Sequence, residues 1–328
     1  MKATVNICFT VALLIFNISF TNHFYNCVIN EDRRKCILKS NVQRIGLILL
    51  FTLPFLIPLF LFWIIPLFCA GYISFTDWDM IKPIFNYVGF ENYIEIFGNL
   101  DFYKALWNTL TFSAGVIIPT IILGLGVSLI FQNSLKGSAL YKIIIFSPWI
   151  TPMVAISIVW SWIFEPDVGF ANYLLNFLGC TGLEWLKSSK TAMLAIIIVT
   201  VWKGLGWTML FYLGALEKVP ESVYEAADVD GANYLQTLVH ITIPLISPTT
   251  VFLIVINLIS TVQAFDQIKV LSQGGPAGST RTLIYMYYQS AFENFDVGMA
   301  SALSIIVLVI IVILSLINNY FSTKWVYY

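Results

Sequence analysis

Few residues of this chain have the types and spacing that chemistry needs, and most of them lie between Leu216 and Pro248. There Glu221 and Glu225 follow Pro220, and a helix N-terminus favours both acids and proline. Ala226 and Ala227 extend a helix with almost no side-chain bulk, and Gly231, after Asp230, permits a turn that a Cβ would resist. Tyr234, Leu235, Leu238, Val239 and Ile241 then resume an amphipathic pattern before Pro244. The expected element is a short helix, a glycine turn and a second short helix. Small alanines beside acids on an exposed helix suit docking into a partner's groove, and an ordinary interfacial hairpin carries the same pattern.

A second group lies in apolar surroundings. Lys203 stands in the middle of a long apolar run, where a lysine costs about 2.5–3.5 kcal/mol on insertion scales. It must face a wet cavity, a partner, or a polar group, or else snorkel along Gly204 and Gly206. Gly204 and Trp207 share its helical face, and an indole beside a glycine gap suits either stacking on a sugar or plain packing. Asn257, Ser260, Thr261 and Ala264 fall at i, i+3, i+4 and i+7, a polar stripe that lipid would penalise. Asp266, Gln267 and the breaker Gly274-Gly275-Pro276 suit an outer loop. Catalysis finds no support. The two histidines are His23 and His240, no apolar run carries a carboxylate pair, and no GxxxxGK[ST] phosphate loop occurs. The five cysteines lack CxxC spacing, so no metal site is written.

The elements that position these residues follow from composition. Of 328 residues 59% are hydrophobic and 11% charged, with net charge -1 and mean hydropathy +0.83. That is too little polar surface for a water-facing globule, and the charge balance excludes a basic nucleic-acid binder. Runs free or nearly free of charge predict six membrane helices near 45–72, 106–131, 143–164, 191–215, 245–268 and 298–320. They are continuous rather than alternating, which excludes a β-barrel. Pro54, Pro58, Pro66, Pro119, Pro148 and Pro152 are expected to kink them. The fold class is an all-α polytopic membrane protein.

Residues 1–44 form a separate N-terminal segment. Its basic part, 31–44, with Arg33, Arg34, Lys35, Lys39 and Arg44, is expected to stay in the cytoplasm. Residues 7–20 are a short apolar run that fits an extra membrane helix, a signal-like stretch or sequence upstream of the true start. Six crossings return the C-terminus to the cytoplasm and make 216–244 a cytoplasmic loop.

Glu225-Ala226-Ala227, Asp230-Gly231-Ala232 and Ile241-Thr242-Ile243-Pro244 resemble the coupling-loop signature of permease subunits of binding-protein-dependent ABC importers. Ser74-Phe75-Thr76-Asp77-Trp78, Val88-Gly89-Phe90-Glu91-Asn92-Tyr93, Asn108-Thr109-Leu110, Gly274-Gly275-Pro276, Thr280, Gly298 and Ala300-Ser301-Ala302 are similar to its carbohydrate-uptake branch. The likeness covers about residues 45–325. It implies a six-helix type I importer domain in a bacterial inner membrane, paired with a second homologous permease. It also implies a cytoplasmic ATPase dimer that uses ATP and Mg, and an extracytoplasmic solute-binding protein delivering a sugar or oligosaccharide. The chain itself would bind no cofactor. Glu225, Ala226, Ala227, Asp230 and Gly231 would carry coupling, with the alanines packing the partner's groove. Ungapped counting from the loop places the substrate path of maltose-type members at Thr200, Lys203, Gly204, Trp207, Asn257, Ser260, Thr261 and Ala264, although the asparagine pair of the fifth span is missing here. The rival function is an ion-gradient-coupled secondary carrier, which normally shows internal repeats and buried acids.

Overall fold

The computed structural model describes residues 41–79, 81, 85–132 and 137–325. The run 7–20 and the basic stretch up to residue 40 lie outside them. The described residues are helical apart from one isolated antiparallel bridge, Thr76 with Tyr87. Two units are distinguished, residues 1–68 and 69–328.

In the first unit α1, Asn41–Leu59, continues through Pro54 and Pro58 into a π-helical turn, Phe60–Ile64. The Ile65 N–H reaches back five residues to the Phe60 carbonyl, a wider turn just before Pro66, which has no donor of its own. α2, Ile65–Ile73, follows.

The second unit contains α3 (Glu91–Gly98), α4 (Leu100–Gln132), α5 (Ser138–Ile150), α6 (Met153–Ile163), α7 (Phe170–Phe177) and α8 (Ala192–Leu216). After these come α9 (Glu221–Val229), α10 (Tyr234–Thr237), α11 (Ile243–Leu245), α12 (Ser247–Val262), α13 (Asp266–Leu271), α14 (Leu283–Tyr288) and α15 (Val297–Trp325). Four helical stretches are long and apolar enough to cross a bilayer: Phe51–Ile73, Leu100–Gln132, Ala192–Leu216 and Val297–Asn318. Two bent pairs bring the count to the expected six, Ser138–Ile150 with Met153–Ile163 at 100° and Tyr234–Leu245 with Ser247–Val262 at 65°.

The third span is therefore not the continuous helix expected over 143–164. Proline forces the residue before it out of the α region, and Thr151, preceding Pro152, takes φ -71° and ψ 135°. The break strands the last carbonyls of α5. Lys203 Nζ, from α8, donates to the carbonyls of Pro148 (3.0 Å), Trp149 (3.0 Å) and Thr151 (2.7 Å). A cation at a helix C-terminus also meets the negative end of the macrodipole. The fifth span differs as well. Expected over 245–268, it runs from Ser247 to Val262, so Ala264 lies beyond the helix. No proline or glycine marks that end.

The core joins Phe112 and Val116 of α4, Ile156 of α6, Ile196 and Val199 of α8, and Ile268 of α13. Helices in lipid associate through close packing of small residues, and α8 does so on two sides. Gly124 of α4 faces Thr208, where a Cβ would stand 2.5 Å from the threonine methyl. A Cβ on Gly206 would collide with the Ile145 carbonyl and come within 2.6 Å of the Phe146 Cα.

On the outer side, asparagine amides bind the loops together. Asn92 Nδ2 donates to the carbonyls of Ser74 and Thr76, both at 2.9 Å, and Tyr93 donates to Ser74 Oγ at 2.8 Å. The Trp78 carbonyl accepts from the N–H groups of Val297 and Gly298, where a Cβ on Gly298 would strike the Thr76 carbonyl. Asn108 Nδ2 donates to the carbonyls of Gly278 (2.9 Å) and Arg281 (3.0 Å), and Thr109 Oγ1 accepts from the Leu283 N–H. The expected motifs of the outer side are thus the joints of its loops.

Two outcomes follow from this packing. Gly206→Ala is expected to destabilise the purified protein by about 1–3 kcal/mol, seen as a lower midpoint of thermal unfolding. Gly126→Ala, with nothing within 4 Å of the added carbon, should leave the midpoint unchanged or raise it slightly, because alanine suits a helix interior better than glycine. Lys203→Met strands three carbonyls and should cost about 1–3 kcal/mol or more, partly restored by Lys203→Arg; an unshifted midpoint for Lys203→Met would refute the cap.

Candidate functional site

The loop after α8 forms the expected hairpin, and its turn explains the glycine. Gly231 has φ +76°, a left-handed conformation that residues with a Cβ resist. Around it the Ala232 N–H bonds to the Ala227 carbonyl (3.0 Å) and the Gly231 N–H to the Asp228 carbonyl (3.1 Å), the paired bonds of a Schellman stop. Asp230 is the C-cap of α9. The returning limb starts with a capping box: Asn233 Oδ1 accepts from the Gln236 N–H at 3.0 Å, and Gln236 Oε1 accepts from the Asn233 N–H at 2.8 Å. A longer contact, Thr242 Oγ1 to the Tyr224 hydroxyl at 3.4 Å, ties the limbs.

Glu225, Ala226, Asp230 and Gly231 are exposed on this hairpin, but Ala227 is buried within the chain. Its methyl is covered within this chain and is not open to a partner's groove. Sequence reasoning missed the apolar side chains around the turn. Val229, Tyr234 and Leu235 are all exposed, the last two belonging to the amphipathic pattern that follows the glycine. The readable signal was Asn233-x-x-Gln236, the box that sets the face of the second limb.

All eight residues of the expected path meet at one cavity of about 290 Å³. Thr200, Lys203, Gly204 and Trp207 reach it from α8, Asn257, Ser260 and Thr261 from α12, and Ala264 from just past its end. Phe265, Asp266 and Gln267 line it too, as does Trp149, whose ring stacks on Trp207 at 5.0 Å between centroids and 15° between planes. The polar side chains are tied to their own helices. Thr200 Oγ1 donates to the Ile196 carbonyl, Asn257 Nδ2 to that of Leu253 and Thr261 Oγ1 to that of Asn257, each at 2.8 Å. The threonine hydroxyls keep lone pairs to accept from another group. Lys203 has its three donors on carbonyls, so it lines the cavity as a fixed wall.

Trp207 also borders a second cavity, of about 530 Å³, shared with Phe146, Phe211, Phe252 and Lys218. Trp207 and Phe211 stand 4.6 Å apart, Phe211 and Phe252 5.4 Å. The indole Nε1 is buried with no hydrogen-bond partner. Trp207 thus borders both cavities, the first carrying the side chains of Thr200, Asn257, Ser260 and Thr261 and the second mostly aromatic. Among the described residues, no group of three or more histidine, cysteine or acidic side chains is placed to hold a metal.

Comparisons with known proteins agree with this architecture. The chain is 32% identical to the probable ABC transporter permease protein YurN of Bacillus subtilis, over 84% of this chain and 95% of the relative. It is 31% identical to AraP, an arabinooligosaccharides transport system permease of the same organism, over 82% and 86%. With MalF, the trehalose/maltose permease of Thermococcus litoralis, it shares 30%, over 84% and 92%. A chain of a bacterial ABC transporter for import of the acidic polysaccharide alginate superposes with a TM-score of 0.75 at 23% identity, covering 87% of this chain and 97% of that one; at that identity it establishes the fold alone. Residues 120–327 match the family described as binding-protein-dependent transport system inner membrane component. The chain belongs to that family.

Proposed function

We propose that this chain is one of two permease subunits of an ATP-driven sugar importer. A solute-binding protein outside the membrane delivers a neutral sugar or oligosaccharide, and a cytoplasmic ATPase dimer, using ATP and Mg, drives the cycle. The observation that carries the reading is the meeting of eight residues from the two spans flanking the hairpin at one cavity. Relatives named for arabinooligosaccharides and for trehalose/maltose support the sugar class. So does the wall itself, in which stacked indoles suit the apolar face of a pyranose and threonine and serine hydroxyls suit its hydroxyl groups. Lys203 is already bonded to three carbonyls, which disfavours an anionic solute as its ligand.

In this reading the hairpin is the handle. Glu225, Ala226, Asp230 and Gly231 meet the ATPase, joined by Val229, Tyr234 and Leu235, while Ala227 holds the handle's shape. α8 leads from the hairpin to the cavity, so displacement of the handle moves Lys203, Gly204 and Trp207 together. Trp207, which borders both cavities, is the side chain that a solute must displace on its way inward.

Uptake into vesicles carrying the whole importer and its binding protein should require ATP and survive collapse of the ion gradients. Uptake driven by a gradient without ATP would establish the secondary carrier instead. Gly231→Val places a branched side chain in a left-handed turn at a cost of roughly 1–2 kcal/mol. It should lower uptake at least tenfold and abolish stimulation of ATP hydrolysis by the loaded binding protein, while the subunits still co-purify. Normal stimulation in that variant would remove the hairpin from the coupling path.

A further inference from the structure

The outer segment between α6 and α8 has its polarity inverted. Asn172, in the middle of α7, is buried and fully bonded. Its Nδ2 donates to the carbonyls of Pro166 (2.8 Å) and Leu183 (2.9 Å), and its Oδ1 accepts from the Leu183 N–H (3.0 Å) and from Trp185 Nε1 (2.8 Å). Ala171 and Leu175 pack on the core beside it. With that face fixed inward, the opposite one must point away from the protein, and it is apolar: Phe170, Tyr173, Leu174, Phe177 and Leu178 are all exposed, Phe177 to 80%. Their spacing of i, i+3, i+4, i+7 and i+8 is that of a helical stripe which ordinarily seeks a core. Here the amide takes the inside and the aromatic rings the outside.

We infer that α7 lies in the outer headgroup region of the bilayer, with this stripe buried against lipid chains. Lipid is the occupant for three reasons. The stripe carries no charge. It continues an exposed apolar face on α6, where Val154, Ile158, Val159 and Trp162 are open, and six residues, 164–169, separate the two helices. Its rings include a tyrosine, preceded on α6 by exposed Trp162, and these residues concentrate at membrane–water boundaries. The charged side chains of the segment lie off the stripe, in the Glu165–Lys187 pair (2.7 Å) and at Asp167, Glu184 and Lys190. A short helix with an apolar aromatic face sits in such a boundary with that face about 5–10 Å below the headgroups. The consequence is mechanical. α7 moors the outer half of the bent third span, the same span whose inner half brings Trp149 to the cavity. The inference does not depend on which solute is carried.

Nitroxide labels test it on the whole importer, freed of cysteine and reconstituted in liposomes of phosphatidylethanolamine and phosphatidylglycerol. Labels go singly at Phe177→Cys, Leu178→Cys and, as the water-side reference, Glu184→Cys; all three residues are exposed. The expected result is a ratio of oxygen to nickel-chelate collision rates at least about threefold higher at 177 and 178 than at 184. Equal ratios would put the stripe in water and overturn the inference. Shielding of 177 and 178 from both reagents would overturn it in favour of a protein partner. Stimulation of ATP hydrolysis by the binding protein, checked in each labelled importer, confirms assembly before the ratios are read.

Discussion

Three carbonyls stranded by a broken helix inside the membrane end on a single ammonium group. Within a bilayer no water is available to take the partners that a helix releases, so an interruption survives only where another part of the protein supplies donors. Lys203 supplies three to the end of α5. The arrangement cancels two penalties at once: a bare lysine in a span costs about 2.5–3.5 kcal/mol, and an unbonded buried carbonyl about 1–3 kcal/mol. Neither feature is stable without the other. Their union fixes where Trp149 stacks on Trp207, and Gly206 lets the α5 backbone come close enough for the lysine to reach it.

The outer side solves the same problem with asparagine. Loops there bring backbone groups together without regular pairing, and each such group must find a partner. Asn92, Asn108 and Asn172 each place an amide among backbone atoms from distant parts of the chain. A side chain with donors and an acceptor on one planar end can serve two or more of them at once. This accounts for the repeated motifs of the outer loops without assigning them any contact with solute. Gly298 has the complementary role, as the place where the Thr76 carbonyl comes too near for any side chain.

The spans were legible from gaps between charges because lipid excludes charge over a fixed thickness, and α8 was bounded within a residue at each end. The glycine turn at 231 was legible because its backbone conformation is local. Other features are not local. Pro152 announces a bend in the third span, but whether the span kinks or breaks depends on Lys203, whose partners lie 52 to 55 residues away. The same distance hides the role of the lysine, which from sequence alone is equally a ligand for solute or a structural cation. Ala227 and Ala226 are indistinguishable in sequence, and only the folded chain buries one and leaves the other exposed. The eight residues that converge on the cavity were reached by counting along the chain, an approach that works where two helices keep fixed registers, and Ala264 still reaches the cavity although α12 ends at Val262.

One helix links the hairpin to the cavity. At 1.5 Å per residue, the 25 residues of α8 form a rod of about 37 Å. Its C-terminal end runs within a few residues into α9, and its middle carries Lys203 and Trp207. A long helix transmits displacement along its axis with little loss, whereas the 65° bend between the returning limb and α12 gives the other connection a joint. In the proposed cycle a displacement of the hairpin would therefore reach the α8 wall of the cavity more directly than the α12 wall, with Asn257 and Thr261. Because Lys203 binds the end of α5, the broken third span must travel with α8 or lose its cap. The cost of uncapping three carbonyls holds α8 and the end of α5 together as one body.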